Sequence, residues 1–331
     1  MAEKMNEEYL RVENLHTYFH TPEGIVRSVD GVSFHIDAGE TLALVGESGC
    51  GKTVTSLSLI HLLADSAEVF ADKITIGGRT IEKLTGEEAR AIRGKQISMI
   101  FQEPMTSLNP VYRIEKQLSE VFRLHEPKIS KREVYERSIA ILKRVGVPKP
   151  EERLKVYPHQ LSGGLRQRVM IAISLASAPR MLIADEPTTA LDVTIQAQII
   201  DLLKGLQKDM NMAILLITHD FGVVSQIADR VAVMYAGKIV ESGRLEDIFQ
   251  DPWHVYTKLL IMSIPGIKVT RGGRLESIAG TVPNPLNWPK GCRFAPRCPE
   301  AMPVCFEDEP REYVCGERRV CCHLKRGKAD E

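Results

Sequence analysis

A short glycine-rich segment constrains this chain more than any other feature. It fits the pattern G-x-x-x-x-G-K-[ST] at residues 46–53, which we call the phosphate loop. In such a loop the glycines let backbone N–H groups turn inward around phosphates, the lysine reaches the β and γ oxygens, and the threonine hydroxyl contacts Mg²⁺. The residues expected to bind nucleoside triphosphate are Gly46, Glu47, Ser48, Gly49, Cys50, Gly51, Lys52 and Thr53.

The sequence on either side of the loop decides whether this match is more than a chance glycine-rich turn. Residues 41–45 form an apolar run with the length of a buried strand, and residues 53–63 carry apolar side chains at helical spacing. The loop would therefore lie at the N-terminus of a helix, where the helix dipole favours phosphate. A chance turn is the weaker interpretation.

The composition is that of an ordinary globular protein. The 331 residues are 44% hydrophobic and 26% charged, and the length predicts one large domain with an appendage, or two domains. Because 43 basic residues balance 43 acidic ones, nothing supports a nucleic-acid-binding surface. Residues 1–10 do not resemble a secretory signal, and no apolar run is long enough to span a bilayer. We expect a cytoplasmic location, with any membrane role supplied by partner subunits.

A second phosphate-site element follows at residues 181–186, where an apolar strand ends in the carboxylates Asp185 and Glu186. Asp185 would hold Mg²⁺ directly or through water, and Glu186 would orient or deprotonate the water that attacks the γ-phosphate. Alone, this pattern fits a polar strand end before Pro187 equally well. Together with the phosphate loop, it favours a catalytic site.

The order of motifs becomes specific at residues 161–168, Leu-Ser-Gly-Gly-Leu-Arg-Gln-Arg, where a Ser-Gly-Gly turn opens a helix. With this segment the chain resembles the ABC ATPase family. The resemblance implies that this signature faces the phosphate loop of a second subunit, so that Ser162, Gly163 and Gly164 complete the partner's ATP site. A hydroxyl and a helix N-terminus suit a γ-phosphate. A glycine turn that merely caps a helix is the alternative.

Further positions match the family one at a time. Gln102 matches a glutamine that contacts Mg²⁺ or water and senses the transporter. His219 matches a histidine that contacts the γ-phosphate and positions the attacking water, although a histidine at a strand end is usually structural. Asp192 matches an aspartate that crosses the dimer interface and couples the two sites. Phe19 is our choice for the aromatic residue that stacks on adenine, and Tyr18 is the alternative.

Hydrophobic runs that alternate with helical segments predict a mainly parallel α/β sheet. The strand-like runs are residues 42–45, 97–101, 182–185, 213–218 and 230–235. Between Gln102 and Ser162 the sequence is helical and polar, with a capping box at residues 130–133. This segment corresponds to the helical subdomain that the family inserts in its core. The resemblance also implies an antiparallel β layer near residues 12–36 and 73–76.

These features predict a P-loop NTPase fold of the ABC ATPase type, followed by a small Cys-rich C-terminal extension. We expect the nucleotide-binding domain to occupy residues 8–258, with its helical subdomain at about 103–175. The extension would then occupy residues 259–331.

The extension holds six of the seven cysteines: Cys292, Cys298, Cys305, Cys315, Cys321 and Cys322. In a reducing cytoplasm, thiolate ligands for a metal or cluster explain this clustering better than disulfides do. Five residues separate Cys292 from Cys298, and six separate Cys298 from Cys305. These gaps do not fit the C-x₂₋₄-C spacing of common zinc sites, so zinc is disfavoured and stays an alternative.

Two segments, residues 102–110 and 283–299, resemble the ATPases of oligopeptide and dipeptide importers. Members of that group can carry a [4Fe–4S] cluster on four cysteines, the last of which directly precedes a histidine or an aromatic residue. The resemblance therefore implies the ligands Cys292, Cys298, Cys305 and Cys322. The additional Cys315 and Cys321 depart from the simple pattern, and a zinc-bound or metal-free tail is the alternative.

The resemblance implies one ATPase subunit of a peptide importer, peripheral on the cytoplasmic face of the membrane. The expected partners are a second and related ATPase chain, two transmembrane permease subunits and an extracytoplasmic peptide-binding protein, with no nucleic acid. ATP between two ATPase subunits would close the pair, and hydrolysis would reopen it. A nickel or other small-solute importer is an alternative, because the ATPase does not touch the cargo. An ABC ATPase of DNA repair or translation is less favoured, since this chain has a single cassette and no sustained heptads.

Overall fold

The computed structural model describes residues 7–81, 86–103, 107–189, 191–264 and 278–325. Packing divides the chain into two units: the first consists mainly of Leu84–Leu216, and the second of Glu8–Ile36, Glu40–Lys83 and Ile217–Glu331. The domain boundary expected between residues 258 and 259 stays a prediction. Residues 104–106 and Ala190 of the predicted motifs lie outside the described ranges, as do residues 265–277 and 326–331 of the predicted extension.

The strands and helices follow one another along the chain as the hydrophobic runs indicate. The strands are β1 (Glu8–Thr21), β2 (Gly24–Asp37), β3 (Thr41–Val45), β4 (Ala67–Phe70), β5 (Lys73–Ile76), β6 (Arg79–Thr80), β7 (Ile97–Ile100), β8 (Met181–Asp185), β9 (Ala213–Thr218), β10 (Arg230–Tyr235), β11 (Lys238–Arg244), β12 (Tyr313–Cys315) and β13 (Arg318–Val320). The helices are α1 (Lys52–Leu59), α2 (Gly86–Ile92), α3 (Ile114–His125), α4 (Lys131–Arg144), α5 (Pro150–Arg153), α6 (Gly163–Leu175), α7 (Val193–Met210), α8 (Phe221–Ile227), α9 (Leu245–Gln250), α10 (Val255–Met262) and α11 (Pro303–Glu307).

The second unit contains an antiparallel layer built around β1. This strand pairs with β4 and β5 in antiparallel register, β5 pairs with β6, and β2 lies on the other edge of β1. Alternate side chains of β1 are buried, as expected of a strand with one face on a core. The predicted antiparallel β layer is thereby confirmed.

The second unit also holds β3, whose five residues are all buried, beside β10 in parallel register. Antiparallel β11 follows β10, and β13 and β12 extend this sheet with residues of the C-terminal part. Helix α1 begins directly after the loop that follows β3. It ends at Leu59, earlier than the apolar spacing indicates, because the backbone at His61 turns to a positive φ of 51°.

The first unit contains parallel β7 and β8, with Ile100 opposite Ala184. The polar segment before the signature folds into α3, α4 and α5, as the sequence predicts. The Ser130 hydroxyl caps α4 by accepting a hydrogen bond from the Glu133 N–H at 3.1 Å, which is one half of the predicted capping box. The Glu133 carboxylate accepts a hydrogen bond from Arg137 at 2.5 Å. Helix α6 packs against α3, α4 and β7. None of the helices in the described ranges combines the length and apolar character needed to cross a bilayer.

Candidate functional site

The phosphate loop lies in the second unit, between β3 and α1. Lys52 is the first residue of α1, and its Nζ donates hydrogen bonds to the carbonyl oxygens of Gly46 at 2.8 Å and Glu47 at 2.9 Å. The loop is therefore already curled around the ammonium group. Gly51 has a φ of 108°, and a Cβ there would come within 2.5 Å of the Ser28 carbonyl oxygen. Only glycine fits at this position.

The remaining loop residues separate into an outer and an inner set. Ser48, Gly49 and Thr53 are exposed, so the Thr53 hydroxyl at the start of α1 is accessible from solvent. Cys50 is fully buried, and its Sγ lies 3.6 Å from the Lys52 Nζ. Burial raises the pKa of the Cys50 thiol, which keeps it protonated and inert. This thiol packs inside the loop, as expected.

Glu47 is held by residues far along the chain within the same unit. Its N–H donates to the Tyr256 hydroxyl at 2.9 Å. Its carboxylate forms two hydrogen bonds with the Arg297 guanidinium, at 2.6 and 3.0 Å. The loop is thus tied to the C-terminal part of the chain through both the backbone and the side chain of Glu47.

The carboxyl ends of β7 and β8 bring two predicted residues together in the first unit. Because these strands are parallel neighbours, the residues that follow them meet at one sheet edge. There the Gln102 Nε2 donates to the Glu186 Oε2 at 2.8 Å, and the Thr189 hydroxyl donates to the same oxygen at 2.9 Å. Asp185, the last residue of β8, is 1% exposed.

The signature and Asp192 also lie close together in the first unit. Ser162 is the exposed N-cap residue of α6, and within the described residues its hydroxyl makes no capping hydrogen bond. Asp192 caps α7 by accepting a hydrogen bond from the Ile195 N–H at 3.0 Å. A Cβ on Gly164 would meet Ile195 Cγ2 at 3.0 Å, so the start of α6 packs tightly against the start of α7.

His219 and Phe19 lie in the second unit. His219 is exposed, directly after the buried strand β9. On β1, Thr17 points towards α1, where its hydroxyl lies 2.8 Å from the Ser58 hydroxyl, and Phe19 shares that face because side chains alternate along a strand. Tyr18 points the other way and donates to Asp30 at 2.7 Å. Burial and the hydrogen bond to Asp30 raise the pKa of Tyr18 to about 12.

The C-terminal cysteines form no disulfide bond with one another. One cavity of about 20 Å³ is lined by Cys292, Cys298, Cys305 and Cys322, together with His254, Phe294 and other residues. Burial raises the pKa of Cys292 to about 11. Cys321 lines a different cavity and Cys315 is exposed. Across the described residues, no three His, Cys, Asp or Glu side chains are arranged around a point that would hold a single ion.

Comparison with known proteins gives the family. A family model described as "ABC transporter" matches residues 29–189, and one described as "Oligopeptide/dipeptide transporter, C-terminal region" matches residues 240–305. The oligopeptide transport ATP-binding protein AppD of Bacillus subtilis is 52% identical over 91% of this chain and 92% of its own length. This chain belongs to the ABC transporter ATP-binding proteins.

Further relatives of this ABC ATPase agree. The dipeptide transport ATP-binding protein DppD of Bacillus subtilis is 49% identical over 98% of this chain and 97% of its own length. The oligopeptide transport ATP-binding protein OppD of Escherichia coli is 47% identical over 97% of this chain and 95% of its own length. A solved dimeric ATP-binding cassette bound to ADP and Pi is 26% identical, with a TM-score of 0.62 over 71% of this chain and 98% of that one.

Sequence reasoning missed several residues of this ABC ATPase that the structure places at the predicted motifs. Thr189 binds Glu186, and the Gln167 side chain joins α6 to the Pro187 carbonyl oxygen at 2.6 Å. Tyr256 and Arg297 bind the phosphate loop. Two of these residues carry a local signal: Gln167 lies in the signature at residues 161–168, and Arg297 lies between two clustered cysteines in Gly-Cys-Arg-Phe-Ala-Pro-Arg-Cys-Pro.

Proposed function

We propose that this ABC ATPase is the ATP-hydrolysing subunit of an importer for di- and oligopeptides. Its identity to oligopeptide and dipeptide transport ATP-binding proteins carries this proposal, because the identity extends over nearly the whole chain. The match to the C-terminal region of oligopeptide and dipeptide transporters points to the same group.

ATP would bind with its phosphates in the phosphate loop. The Lys52 Nζ, which now donates to loop carbonyl oxygens, would turn to the β and γ phosphate oxygens, and backbone N–H groups at the start of α1 would bind the remainder. Mg²⁺ prefers oxygen ligands, and we assign to it the three that the family resemblance implies: the Thr53 hydroxyl, the Asp185 carboxylate and the Gln102 amide oxygen. Because the Gln102 Nε2 donates to Glu186, its amide oxygen is the group left for Mg²⁺.

Glu186 would act as the catalytic base that orients or deprotonates the attacking water. The hydrogen bonds from Gln102 and Thr189 to its Oε2 support this role, because they fix the direction of the carboxylate. His219, exposed at the end of β9, would contact the γ-phosphate and help to position that water. Each of these roles requires ATP bound in the phosphate loop.

The partner's ATP would be completed by the signature of this chain. Ser162 is exposed at the N-terminus of α6 and its hydroxyl makes no capping bond within the described residues, so it suits a ligand outside the chain. The N–H groups of Gly163 and Gly164 would add to this anion site. Asp192 follows close by and would contribute to coupling across the interface. The solved cassette of similar fold is described as dimeric, which agrees with this arrangement.

Adenine would stack on Phe19. Two observations favour Phe19 over Tyr18. Phe19 shares the face of β1 that carries Thr17, which contacts α1, the helix that begins in the phosphate loop. Tyr18 lies on the opposite face, where its hydroxyl binds Asp30 and its ring contacts the ring of Phe70, with centroids 5.3 Å apart.

The C-terminal cysteines would hold a [4Fe–4S] cluster. The four thiols that line one cavity are those that the family resemblance implies as ligands, Cys292, Cys298, Cys305 and Cys322. Each thiolate of such a cluster binds a different iron, so the four sulfurs do not converge on one point as they would around zinc. When bound, the cluster would join four points of the tail covalently. We assign it a structural role.

The partners would be a second ATPase subunit, two transmembrane permease subunits and an extracytoplasmic peptide-binding protein. The chain would dock peripherally on the cytoplasmic face of the membrane, next to Gln102 and helices α3 to α5. Closure of the ATPase pair on ATP and its reopening after hydrolysis would drive the permeases, provided that ATP binds the closed state more tightly.

Isolation of the complex tests this function. A tag on the full chain, purified from detergent-solubilised membranes, should recover two membrane proteins and a second ATPase. The ATPase rate should rise when peptide-loaded binding protein is added, and the Lys52→Ala variant should lose that rate. Recovery of DNA or ribosomes, or stimulation by a metal-loaded but not a peptide-loaded binding protein, would contradict the peptide importer.

A further inference from the structure

Two arginines in the cysteine-rich tail have no part in the proposed ATPase chemistry. Arg293 directly follows Cys292, and Arg297 directly precedes Cys298. Both side chains leave the cysteine cavity and reach towards the phosphate loop within the second unit. Arg297 makes the direct contact.

Arg297 binds Glu47 through a buried two-pronged ion pair. Its Nη1 and Nη2 lie 2.6 and 3.0 Å from the two carboxylate oxygens, and its side chain is only 4% exposed. Nη1 also donates to the Tyr235 hydroxyl at 3.3 Å, and Nε donates to the Ala279 carbonyl oxygen at 2.9 Å. A planar fork held at this many points cannot swing, so it fixes the carboxylate in place.

Glu47 is therefore held on three sides. Its side chain binds Arg297, its N–H binds the Tyr256 hydroxyl at 2.9 Å, and its carbonyl oxygen accepts from the Lys52 Nζ at 2.9 Å. Tyr256 is fully buried, and its ring packs against Phe294 of the tail with centroids 5.3 Å apart. The tail thus supplies or supports two of the three contacts that position this loop residue.

A second route joins the tail to the other end of the loop. Arg293 donates to the Ala236 carbonyl oxygen at 2.6 Å and forms an ion pair with Asp30. The next residue, Gly237, donates its N–H to the Cys50 carbonyl oxygen at 2.9 Å. The turn between β10 and β11 therefore binds Arg293 through Ala236 and the phosphate loop through Gly237.

We propose that Arg297 is a positioning residue for ATP, which holds the phosphate loop in its binding conformation through Glu47. The inference rests on the proposed ATP role of that loop. A loop that is already fixed loses less conformational freedom when ATP binds, so the affinity of the chain for ATP is higher. The tail would then contribute to ATP binding through Glu47.

The test is the affinity of the purified full chain for ATP, titrated by calorimetry. Losing a charge-assisted contact of this kind should weaken ATP binding by about tenfold in both Arg297→Gln and Glu47→Gln. The double variant should bind no more weakly than the worse single variant, because both changes remove the same contact. Arg297→Lys keeps the charge without the fork and should recover only part of the affinity.

The matched control is Arg244→Gln, which breaks an exposed ion pair with Glu317 and should leave ATP affinity unchanged. Thermal unfolding of each variant shows whether Arg297 positions the phosphate loop for ATP or only anchors the tail. If Arg297→Gln unfolds at a lower temperature but binds ATP as tightly as the unmodified chain, Arg297 only anchors the tail and the inference is wrong. Additive effects in the double variant would overturn it equally.

Two further outcomes keep the test decisive. If Arg297→Gln does not fold, Glu47→Gln and Arg297→Lys carry the comparison, since Glu47→Gln leaves the contacts of Arg297 with Tyr235 and Ala279 in place. Lys52→Ala should abolish binding. Failure of the unmodified chain to bind ATP would contradict the proposed function, whereas equal binding by the unmodified and Arg297 chains would contradict this inference alone.

Discussion

At the scale of single residues, Glu186 combines a proposed catalytic role with an unusual backbone conformation. Its backbone has a φ of 45°, in the left-handed region that costs a residue with a side chain roughly 1–3 kcal/mol. The same turn directs its carboxylate to Gln102 and Thr189. The strained backbone at Glu186 therefore accompanies a carboxylate that is held in a fixed direction.

Glu186→Gln should therefore separate ATP binding from hydrolysis. The amide keeps the size and can still bind its neighbours, but it cannot accept a proton from water. We expect the rate of phosphate release to fall by about 10²–10⁴-fold, with ATP affinity unchanged. Phosphate release by the purified complex and ATP titration of the same preparation check both parts. Normal hydrolysis by this variant would exclude Glu186 as the base.

The two aromatic residues of β1 give a second prediction at this scale. Phe19→Ala should weaken ATP binding by about tenfold, because stacking of a base on an aromatic ring is worth roughly 1–3 kcal/mol. Tyr18→Phe is the matched control, since it removes only the hydroxyl that binds Asp30 on the opposite face. Fluorescence titration with a labelled ATP measures both. Loss of affinity in Tyr18→Phe but not in Phe19→Ala would reverse the assignment.

At the scale of elements, Asp30 joins three parts of the second unit. It lies on β2 and binds Tyr18 of β1 and Arg293 of the tail. Burial alone would raise the pKa of Asp30, but the hydrogen bonds from Tyr18 and Arg293 outweigh burial and lower the pKa to about 2. The ionised Asp30 carboxylate therefore stabilises the folded chain through these two hydrogen bonds.

The stability of the chain should depend on pH through this contact. A lowered pKa means that Asp30 contributes stability above pH 4, and that this contribution is lost as the pH falls through 2. We expect Asp30→Asn to cost about 2 kcal/mol at pH 7 and less at pH 3. Urea unfolding at the two pH values measures this difference. Asp209→Asn, which breaks an exposed pair with Arg144, is the control and should cost little at either pH.

The cysteine cavity gives a prediction for the tail. Chain purified without oxygen should hold about four irons and four sulfides. Cys322→Ser should remove them, whereas Cys321→Ser should leave them, because Cys322 lines the shared cavity and Cys321 lines another. Elemental and sulfide analysis of both variants checks the ligand set. Bound zinc in the unmodified chain, or iron lost only in Cys321→Ser, would refute the assignment.

At the scale of the whole molecule, the signature should act on the partner and not on this chain. Gly163→Asp places a carboxylate at the exposed N-terminus of α6, where a Cβ comes no closer than 4.0 Å to Leu191 and an acidic side chain favours the helix. The fold should tolerate this change. The new charge would, however, repel the partner's γ-phosphate.

We expect Gly163→Asp to leave ATP affinity of the isolated chain unchanged and to lower the ATPase rate of the complete transporter by at least tenfold, because hydrogen bonds to charged groups are worth roughly 1.5–3 kcal/mol. Gly163→Ala is the matched control, with the same Cβ and no charge. A rate unaffected by Gly163→Asp would show that the signature does not face ATP.

Whether a contact could be predicted from the sequence depends on how far apart its residues lie along the chain. The phosphate loop, the carboxylates of β8 and the N-cap at Ser130 were predictable, because each depends on residues a few positions apart. The contact of Gln102 with Glu186 depends on the parallel register of β7 and β8. No local spacing encodes that register.

The same reasoning explains what the sequence left open in the C-terminal part. Six clustered cysteines were visible, but only packing separates the four that share a cavity from Cys321 and Cys315. The contact of Arg297 with Glu47 spans 250 positions. It was not predicted, since an arginine between two cysteines gives no indication of the residue that it binds.

The bridge between Arg297 and Glu47 acts in both directions. By thermodynamic linkage, a tail that raises ATP affinity is itself stabilised by ATP to the same extent. Cys321, which lies outside the proposed ligand set, should therefore react more slowly with an alkylating reagent when nucleotide is bound. A chain emptied of ATP would have a less tightly held tail, and the reactivity of this one thiol would report whether nucleotide is bound.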